Sequence, residues 1–332
     1  MGTEPEQSPS PDAVALAFRL ALDAARAFVG ATAPNPPVGC AILDASGNVL
    51  AVAAHQRAGT GHSEALAIAE CRAKGLGRAI HTIVVTLEPC NHFGRTPPCS
   101  EAILSTTAKA VWIGVADPNP AVVGGGAERL RAAGLTVRSI GELDHGLAGS
   151  ARRLIAPFAK RARTGLPWVT VKQAVDGSGS MIPPRGQKTF TSQDSLKLAH
   201  ELRRRADAVL TGSGTILADA PEFTVRHVPD FVSRNRHLAV LDRRRRVSTD
   251  YFDAATARGF RVLFPHSLAD ALQQLGEVGA LEVLVEAGPL LTESVLVSPF
   301  WDEHVRITTD EDGPDRVEVL SQPHSFSLTE RT

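Results

Sequence analysis

Only four cysteines occur among 332 residues. Two of them, Cys40 and Cys71, lie in apolar runs, where a buried free thiol is the expected state. That usage points to a cytoplasmic protein. Neither sign of charge is in excess, with 35 basic against 36 acidic residues. The chain therefore has no global field to draw in a phosphate polymer, which argues against DNA or RNA substrates. Aromatic residues make up 5%, and no basic and aromatic strip of the kind that holds single strands is present. No apolar run reaches the ~18 residues of a bilayer span. The opening MGTEPEQSPSPD is acidic and Pro/Ser-rich, without the basic and apolar regions of a signal peptide. What the chain does have is length and 43% hydrophobic content, enough for two domains that each bury a core.

The stretch from Gly61 to Cys99 carries the chemistry. His62, Cys90 and Cys99 are ligands that zinc accepts, and three protein ligands leave a fourth tetrahedral position for water. Glu64 follows the histidine by two, as in the pattern H-x-E…P-C-x-x-C, where the glutamate shuttles protons and is not a ligand. Zinc lowers the pKa of its water to about 7, so a hydroxide can attack an amidine-like ring carbon at neutral pH. Ala65 to Lys74 reads as a helix starting near His62, His81 to Leu87 as a strand ending at Pro89-Cys90, and a second helix starts at Cys99. The metal is thus expected between two helix starts. The bland alternative is two buried thiols and a satisfied histidine. A structural zinc site would need a fourth protein ligand, for which His92 is the candidate.

Eight residues, NHFGRTPP, separate Cys90 from Cys99. The string EPCNHFGRTPPC resembles the deaminase half of the bifunctional riboflavin-biosynthesis deaminase-reductase family, with its H-A-E and P-C-x-H-x-G-R-T-P-P-C. Ser63 stands in place of that family's alanine, a change whose hydroxyl could disturb packing beside the metal. The P-N-P-x-V-G motif falls on residues 34–39, and the resemblance implies that Asn35 contacts the pyrimidine. His55 matches the histidine of H-x-x-A-G, which implies contact with substrate or its phosphate; read alone, it is a polar loop histidine. The D-P-N-P match at Asp117 to Pro120 implies a loop bordering the deaminase site.

Taken in order, residues 1–11 read as a disordered lead-in, and Asp12 can cap a helix running to about Val29 with Val14, Ala17, Phe18, Ala21 and Leu22 on one face. A proline-rich loop leads into a strand from Val38 to Leu43, and another strand spans Val49 to Ala54. Gly124, Gly125 and Gly126 precede a helix but do not make G-x-G-x-x-G, so a tight loop is the expected role. Residues 12–150 are thus expected to form an α/β domain of three layers, cytidine-deaminase-like. A linking helix is expected from Leu143 to Lys160, followed by the boundary RARTGLP at 161–167, so that the linker proper is assigned to 151–167 and a second domain to 168–332.

That second half resembles the reductase of the same family, which implies a dihydrofolate-reductase-like fold and NADPH as cofactor beside zinc. Gly212-Ser213-Gly214-Thr215 is a small-residue turn after a buried strand, suited to close ligand approach or simply to close packing. By resemblance, Thr215 and Asp219 lie at the nicotinamide cofactor, Arg203 and Arg226 bind the substrate's phosphate, Glu286 holds substrate, and Gly288 faces the cofactor's phosphates. Arginine suits phosphate because its planar fork donates twice. Several positions depart from the family: Ser178, Gln187, Thr189, Ala220 and Ala287, with Ala287 expected to obstruct backbone approach. The acidic end WDEHVRITTDEDGPDRVEVL lacks A-P-x-x-x-G, so a final strand pair is expected to be missing or remodelled. The run Arg243 to Arg246 reads as a solvated turn, with a grip on the 2′-phosphate of NADPH as the rarer alternative.

The function implied is zinc-dependent deamination of 2,5-diamino-6-(5-phosphoribosylamino)pyrimidin-4-one, then NADPH-dependent reduction of the ribosyl group to ribityl. A small-molecule substrate, no nucleic acid or membrane partner, and a homo-oligomer through the C-terminal domain go with it. Two alternatives stand beside it: a deaminase whose second domain is an inactive scaffold, and a nucleic-acid base deaminase.

Overall fold

The computed structural model describes residues 7–92, 97–119, 125–183, 190–232, 234–310 and 313–322. The chain divides into two compact units, residues 1–163 and 164–332.

Unit 1 begins with helix α1 (Pro11–Arg26), whose apolar face buries Val14, Ala17, Phe18, Ala21 and Leu22. Its cap is Ser10, accepting from the Ala13 amide, and not Asp12, which falls in the first turn where a carboxylate suits the helix dipole. Strands β1 (Gly39–Leu43) and β2 (Val49–Ala54) pair antiparallel. Helix α2 (Ser63–Ala73), strand β3 (Thr82–Val85), helix α3 (Cys99–Leu104), strand β4 (Ala110–Ile113), helix α4 (Gly125–Ala132), strand β5 (Thr136–Ser139) and helix α5 (His145–Thr164) complete the unit. The sheet order is β2-β1-β3-β4-β5, with β3, β4 and β5 parallel. β1 and β3 are buried at every residue, as strands covered on both faces must be.

One apolar cluster joins α1 and the start of α5 to one face of this sheet, and a second joins α2, Ile103 of α3 and Leu130 of α4 to the other. These are the three layers read from the sequence. Gly39 is needed where α1 crosses β1: a Cβ there would lie 1.9 Å from the Ala21 carbonyl oxygen.

Unit 2 has a seven-stranded sheet ordered β12-β11-β6-β10-β7-β8-β9. Its strands are β6 (Trp168–Val175), β7 (Ala208–Gly212), β8 (Arg236–Leu241), β9 (Phe260–Leu263), β10 (Glu282–Val285), β11 (Glu303–Thr308) and β12 (Arg316–Ser321). The helices between them are α6 (Gln193–Arg205), α7 (Ser213–Asp219), α8 (Thr249–Ala257), α9 (Leu268–Glu277) and α10 (Pro289–Leu296). All neighbours are parallel except β11 and β12, which form an antiparallel pair. A final strand pair is therefore present and not missing: Val305 and Ile307 alternate onto one buried face, and a strand needs that pattern and not the motif. Gln187 and Thr189 lie outside the described residues. Among the described residues, no helix is long and apolar enough to cross a membrane.

Candidate active site in each unit

In unit 1 the sequence-distant ligands converge. His62 is the N-cap of α2, Cys99 is the first residue of α3, and Cys90 lies in the loop after β3. One ligand atom from each falls within 4.8 Å of the others. The Nδ1 atom of His62 is 3.5 Å from Cys90 Sγ and 3.3 Å from Cys99 Sγ, so Nδ1 faces both sulfurs. The backbone N–H of Cys99 donates to Cys90 Sγ at 3.3 Å, and that of Ser100 to the Cys90 carbonyl at 3.1 Å, which ties the loop to the helix start. His92, the candidate fourth ligand, is exposed and outside the cluster.

The electrostatics fit a cation. The neighbouring Cys99 thiol, aided by His62 and the Cys99 amide, holds the Cys90 thiol well below the ordinary range against the effect of burial. Cys99 is pushed the other way by the Cys90 sulfur and by burial. One anionic sulfur beside one that resists ionisation is relieved by a metal, which binds both as thiolates and releases the proton. Two sulfurs and an imidazole form a donor set that zinc takes, with room for a non-protein ligand.

Glu64 is 3% exposed in the first turn of α2. Burial pushes its carboxyl up, while its own backbone amide, His62 and the Ser63 hydroxyl pull it back. The Ser63 hydroxyl donates to Glu64 Oε2 at 2.9 Å. The serine that replaces the family's alanine thus does not disturb packing; its buried hydroxyl finds an acceptor, as burial requires.

Asn35 and His55 are joined at 3.2 Å through Asn35 Nδ2 and His55 Nε2, and His55 Nδ1 lies 3.1 Å from the Gly61 carbonyl oxygen. A carbonyl only accepts, so the His55 proton sits on Nδ1 and Nε2 accepts from the Asn35 amide. The Asn35 carbonyl oxygen is left free of that contact. His55 is buried and packs edge-on against His62, with ring centroids 5.4 Å apart.

Glu88, given no role from sequence, fastens the ligand loop. Its Oε1 accepts from the Ala127 amide at 2.9 Å and its Oε2 from the Asp117 amide at 3.2 Å. Asp117 lies within electrostatic reach of Cys90 and His92, while Pro120, the last residue of the D-P-N-P match, lies outside the described residues. Gly126 is a close-approach glycine: a Cβ would lie 1.8 Å from the Pro89 carbonyl oxygen. Gly124 and residues 93–96 of the signature lie outside the described residues.

In unit 2 the ends of neighbouring parallel strands β7 and β10 open onto α7 and α10. Ligands of open parallel sheets bind outside these carboxyl ends. The Gly288 amide donates to Thr215 Oγ1 at 2.8 Å, so two of the expected cofactor residues, 73 positions apart, meet. Asp219 is exposed at the end of α7. Arg203 on α6 grips Glu286 with both arms, Nε to Oε1 at 2.8 Å and Nη2 to Oε2 at 2.7 Å. Arg226 is exposed and paired with Glu222. Lys172, which sequence reasoning passed over, adds to the positive field that Arg203 places on Glu286. Arg205, two residues beyond Arg203, instead bridges Glu282 and Glu303 at the opposite end of β10.

The departures have distinct consequences. Ala287 is not among the residues with positive φ, so no backbone strain accompanies loss of the glycine. Ser178 sits in a turn where its amide and hydroxyl both donate to Asp176. Arg243 to Arg246 form an exposed turn, from which Arg246 donates to Ser213 Oγ at 2.9 Å. Ala220, the C-cap of α7, has φ 42°, a left-handed conformation that costs a side-chain-bearing residue about 1 kcal/mol. Ala220→Gly is expected to recover roughly that amount, read as a later urea midpoint at unchanged slope; an earlier midpoint would show the αL assignment to be wrong.

Comparison with known proteins agrees with this division. Residues 13–115 match the family of the cytidine and deoxycytidylate deaminase zinc-binding region, and residues 167–308 match the RibD C-terminal domain. The riboflavin biosynthesis protein RibD of Aquifex aeolicus is 34% identical over 312 residues, covering 87% of this chain and 84% of its own. That of Mycobacterium tuberculosis is 35% identical over 281 residues, covering 84% and 80%. A solved deaminase/reductase of Thermotoga maritima superimposes with TM-score 0.79 at 30% identity, covering 92% of this chain and 90% of that one. RibD of Acinetobacter baumannii gives TM-score 0.76 at 27% identity, covering 90% and 87%. With a zinc-binding deaminase region followed by a reductase domain in one chain, matched over most of its length, the protein belongs to the RibD family of bifunctional riboflavin-biosynthesis enzymes.

Proposed function

We propose that unit 1 hydrolyses the 2-amino group of 2,5-diamino-6-(5-phosphoribosylamino)pyrimidin-4-one and that unit 2 reduces the product's ribosyl group to ribityl. The observation that carries this reading is the convergence of His62, Cys90 and Cys99 beside a buried Glu64. His62 Nδ1 and the two sulfurs would hold zinc. When bound, zinc supplies Lewis-acid activation of a water molecule. Glu64 takes the proton of the attacking water and delivers it to the leaving amine, a role suited to a carboxyl whose pKa burial has raised. Ser63 fixes the rotation of that carboxylate, and His55 fixes the amide of Asn35 so that its carbonyl accepts from the ring edge. His55 acts in this reading through Asn35.

In unit 2, NADPH supplies the hydride when bound. Thr215, Asp219 and Gly288 line its place at the strand ends, Arg203 and Arg226 receive the substrate's phosphate, and Glu286, kept ionised by Arg203, accepts from the sugar. Ser178 and Ala220 favour the second reading, in which this unit is only a scaffold. Supplied with the diaminopyrimidine and NADPH, the purified protein is expected to release ammonia and oxidise NADPH in equal amounts. Ammonia without NADPH oxidation would establish the scaffold instead.

The near-zero net charge supports a small-molecule substrate over nucleic acid, and the free thiols of Cys40 and Cys71 support a cytoplasmic setting. We also place self-association on unit 2. Its outermost strand β12 leaves Val317, Val319 and Leu320 43%, 58% and 51% exposed, apolar surface on an edge that invites pairing. Sedimentation is expected to show an oligomer that Val319→Asp weakens; a wild-type monomer at all concentrations would remove this part.

A further inference from the structure

His200 lies on α6 one turn before Arg203 and is 3% exposed. The backbone N–H of Arg226 donates to its Nδ1 at 2.9 Å. A neutral imidazole has one acceptor nitrogen, so this bond places the ring proton on Nε2. Burial, with Arg203, His227 and Arg226 nearby, lowers the ring's pKa to about 4, which keeps it neutral and in that tautomer.

Nε2 then faces a group that cannot receive its proton. Its hydrogen-bond-range neighbour among the described residues is Arg203 Nη1 at 3.5 Å, and a guanidinium only donates. Among the described residues no oxygen accepts from Nε2. Two donors therefore confront each other in a buried place, beside Arg226 and the His227 ring, whose centroid is 4.6 Å from that of His200. Protein interiors do not leave a buried donor without an acceptor at no cost, and an anionic oxygen beside the pair would accept from both.

We propose that His200 Nε2–H is a third donor to the phosphate of the reductase substrate, acting with Arg203 and Arg226. This rests on the reading that those two arginines receive the phosphate. The two ring nitrogens thereby have separate duties: Nδ1 holds the backbone of the Arg226 loop, and Nε2 reads the ligand.

Two isosteric variants separate these duties. Asparagine reproduces the acceptor at Nδ1, and glutamine the donor at Nε2. Reductase kinetics of the full chain would be measured with the deaminated phosphoribosyl intermediate, its dephosphorylated riboside, and NADPH. Wild type is expected to bind the phosphorylated form better. His200→Asn is expected to raise KM for that form by about tenfold or more, the worth of one hydrogen bond to a charged oxygen, and to leave KM for the riboside and for NADPH unchanged. His200→Gln is expected to keep a KM for the phosphorylated form several-fold lower than that of His200→Asn, though above wild type because the Arg226 amide loses its acceptor. The reverse order, Asn near wild type and Gln impaired, would leave His200 only its hold on the Arg226 backbone and overturn the proposal. A rise in KM for NADPH alone would do the same, by assigning the donor to the cofactor's phosphate. Equal KM for phosphorylated and dephosphorylated substrate in wild type would instead remove the arginine reading beneath it. A check that needs neither variant is the nitrogen-15 resonance of Nε2 in wild type. It should shift on adding the phosphorylated intermediate and not on adding the riboside; no shift with either would overturn the proposal.

Discussion

Glu64→Gln is expected to lower deamination by about 10²- to 10⁴-fold, the usual worth of a positioned general acid and base, while the protein keeps its zinc. The amide preserves the size of the side chain and an oxygen to accept from Ser63. It cannot take a proton from water or give one to the leaving amine. Because His62, Cys90 and Cys99 supply the cluster of ligand atoms without Glu64, metal content should not change. Ammonia release and zinc stoichiometry on the same preparations decide the matter. Loss of zinc along with activity would make Glu64 a structural support of the site and not its proton carrier.

The second large effect is on stability. Arg203→Ala is expected to destabilise unit 2 by about 3–5 kcal/mol, because it strands a buried carboxylate, Glu286, without its partner. Both side chains of the pair are largely buried, at 13% and 6% exposure. Although burial opposes it, Arg203 and Lys172 hold the Glu286 carboxyl down to about 2, from an ordinary 4.5. A depressed carboxylate contributes stability that is fully present above about pH 4.5 and is lost as pH falls toward 2, a span worth roughly 3 kcal/mol. His200 acts in the same direction in a higher window. Burial and its cationic neighbours lower it from 6.5 to about 4, so the unfolded chain takes up its proton first and stability falls as pH drops between these values. Wild-type unit 2 should therefore weaken in acid in two stages, and the gap between wild type and Arg203→Ala should narrow below about pH 4.5. Urea titrations across pH measure both. A cost under 1 kcal/mol at neutral pH, or a gap independent of pH, would mean that the ion pair is not the support it is taken to be.

How much of this was legible beforehand differs between the units for a physical reason. His62, Glu64, Cys90 and Cys99 occupy one stretch, and His62, Glu64 and Cys99 sit at helix starts that place them almost unaided. Cys90 instead lies in the loop after β3 and is held by its contacts with the start of α3. Ser63 was visible as a departure, but its worth depended on a rotamer: the hydroxyl could crowd the metal or reach Glu64, and only packing decides. Glu88 stood in plain view in the signature, yet its partners Asp117 and Ala127 come from a loop and from the first turn of α4, 29 and 39 residues away. In unit 2 the site is assembled from contacts such as Arg203 to Glu286, 83 residues apart, and Gly288 to Thr215, 73 apart. No spacing in the sequence encodes these; parallel strand order does. The C-terminal hairpin shows the converse: absence of the A-P-x-x-x-G motif points to a missing or remodelled strand pair, whereas alternation of apolar residues is enough to build one.

Zinc-edge X-ray absorption on the purified full chain tests the central assignment most directly. Two sulfur neighbours at about 2.3 Å and two nitrogen or oxygen neighbours at about 2.0–2.1 Å are expected, one of the latter exchangeable water. A shell of three or more sulfurs, a fourth protein ligand in place of water, or protein that binds no zinc would contradict it.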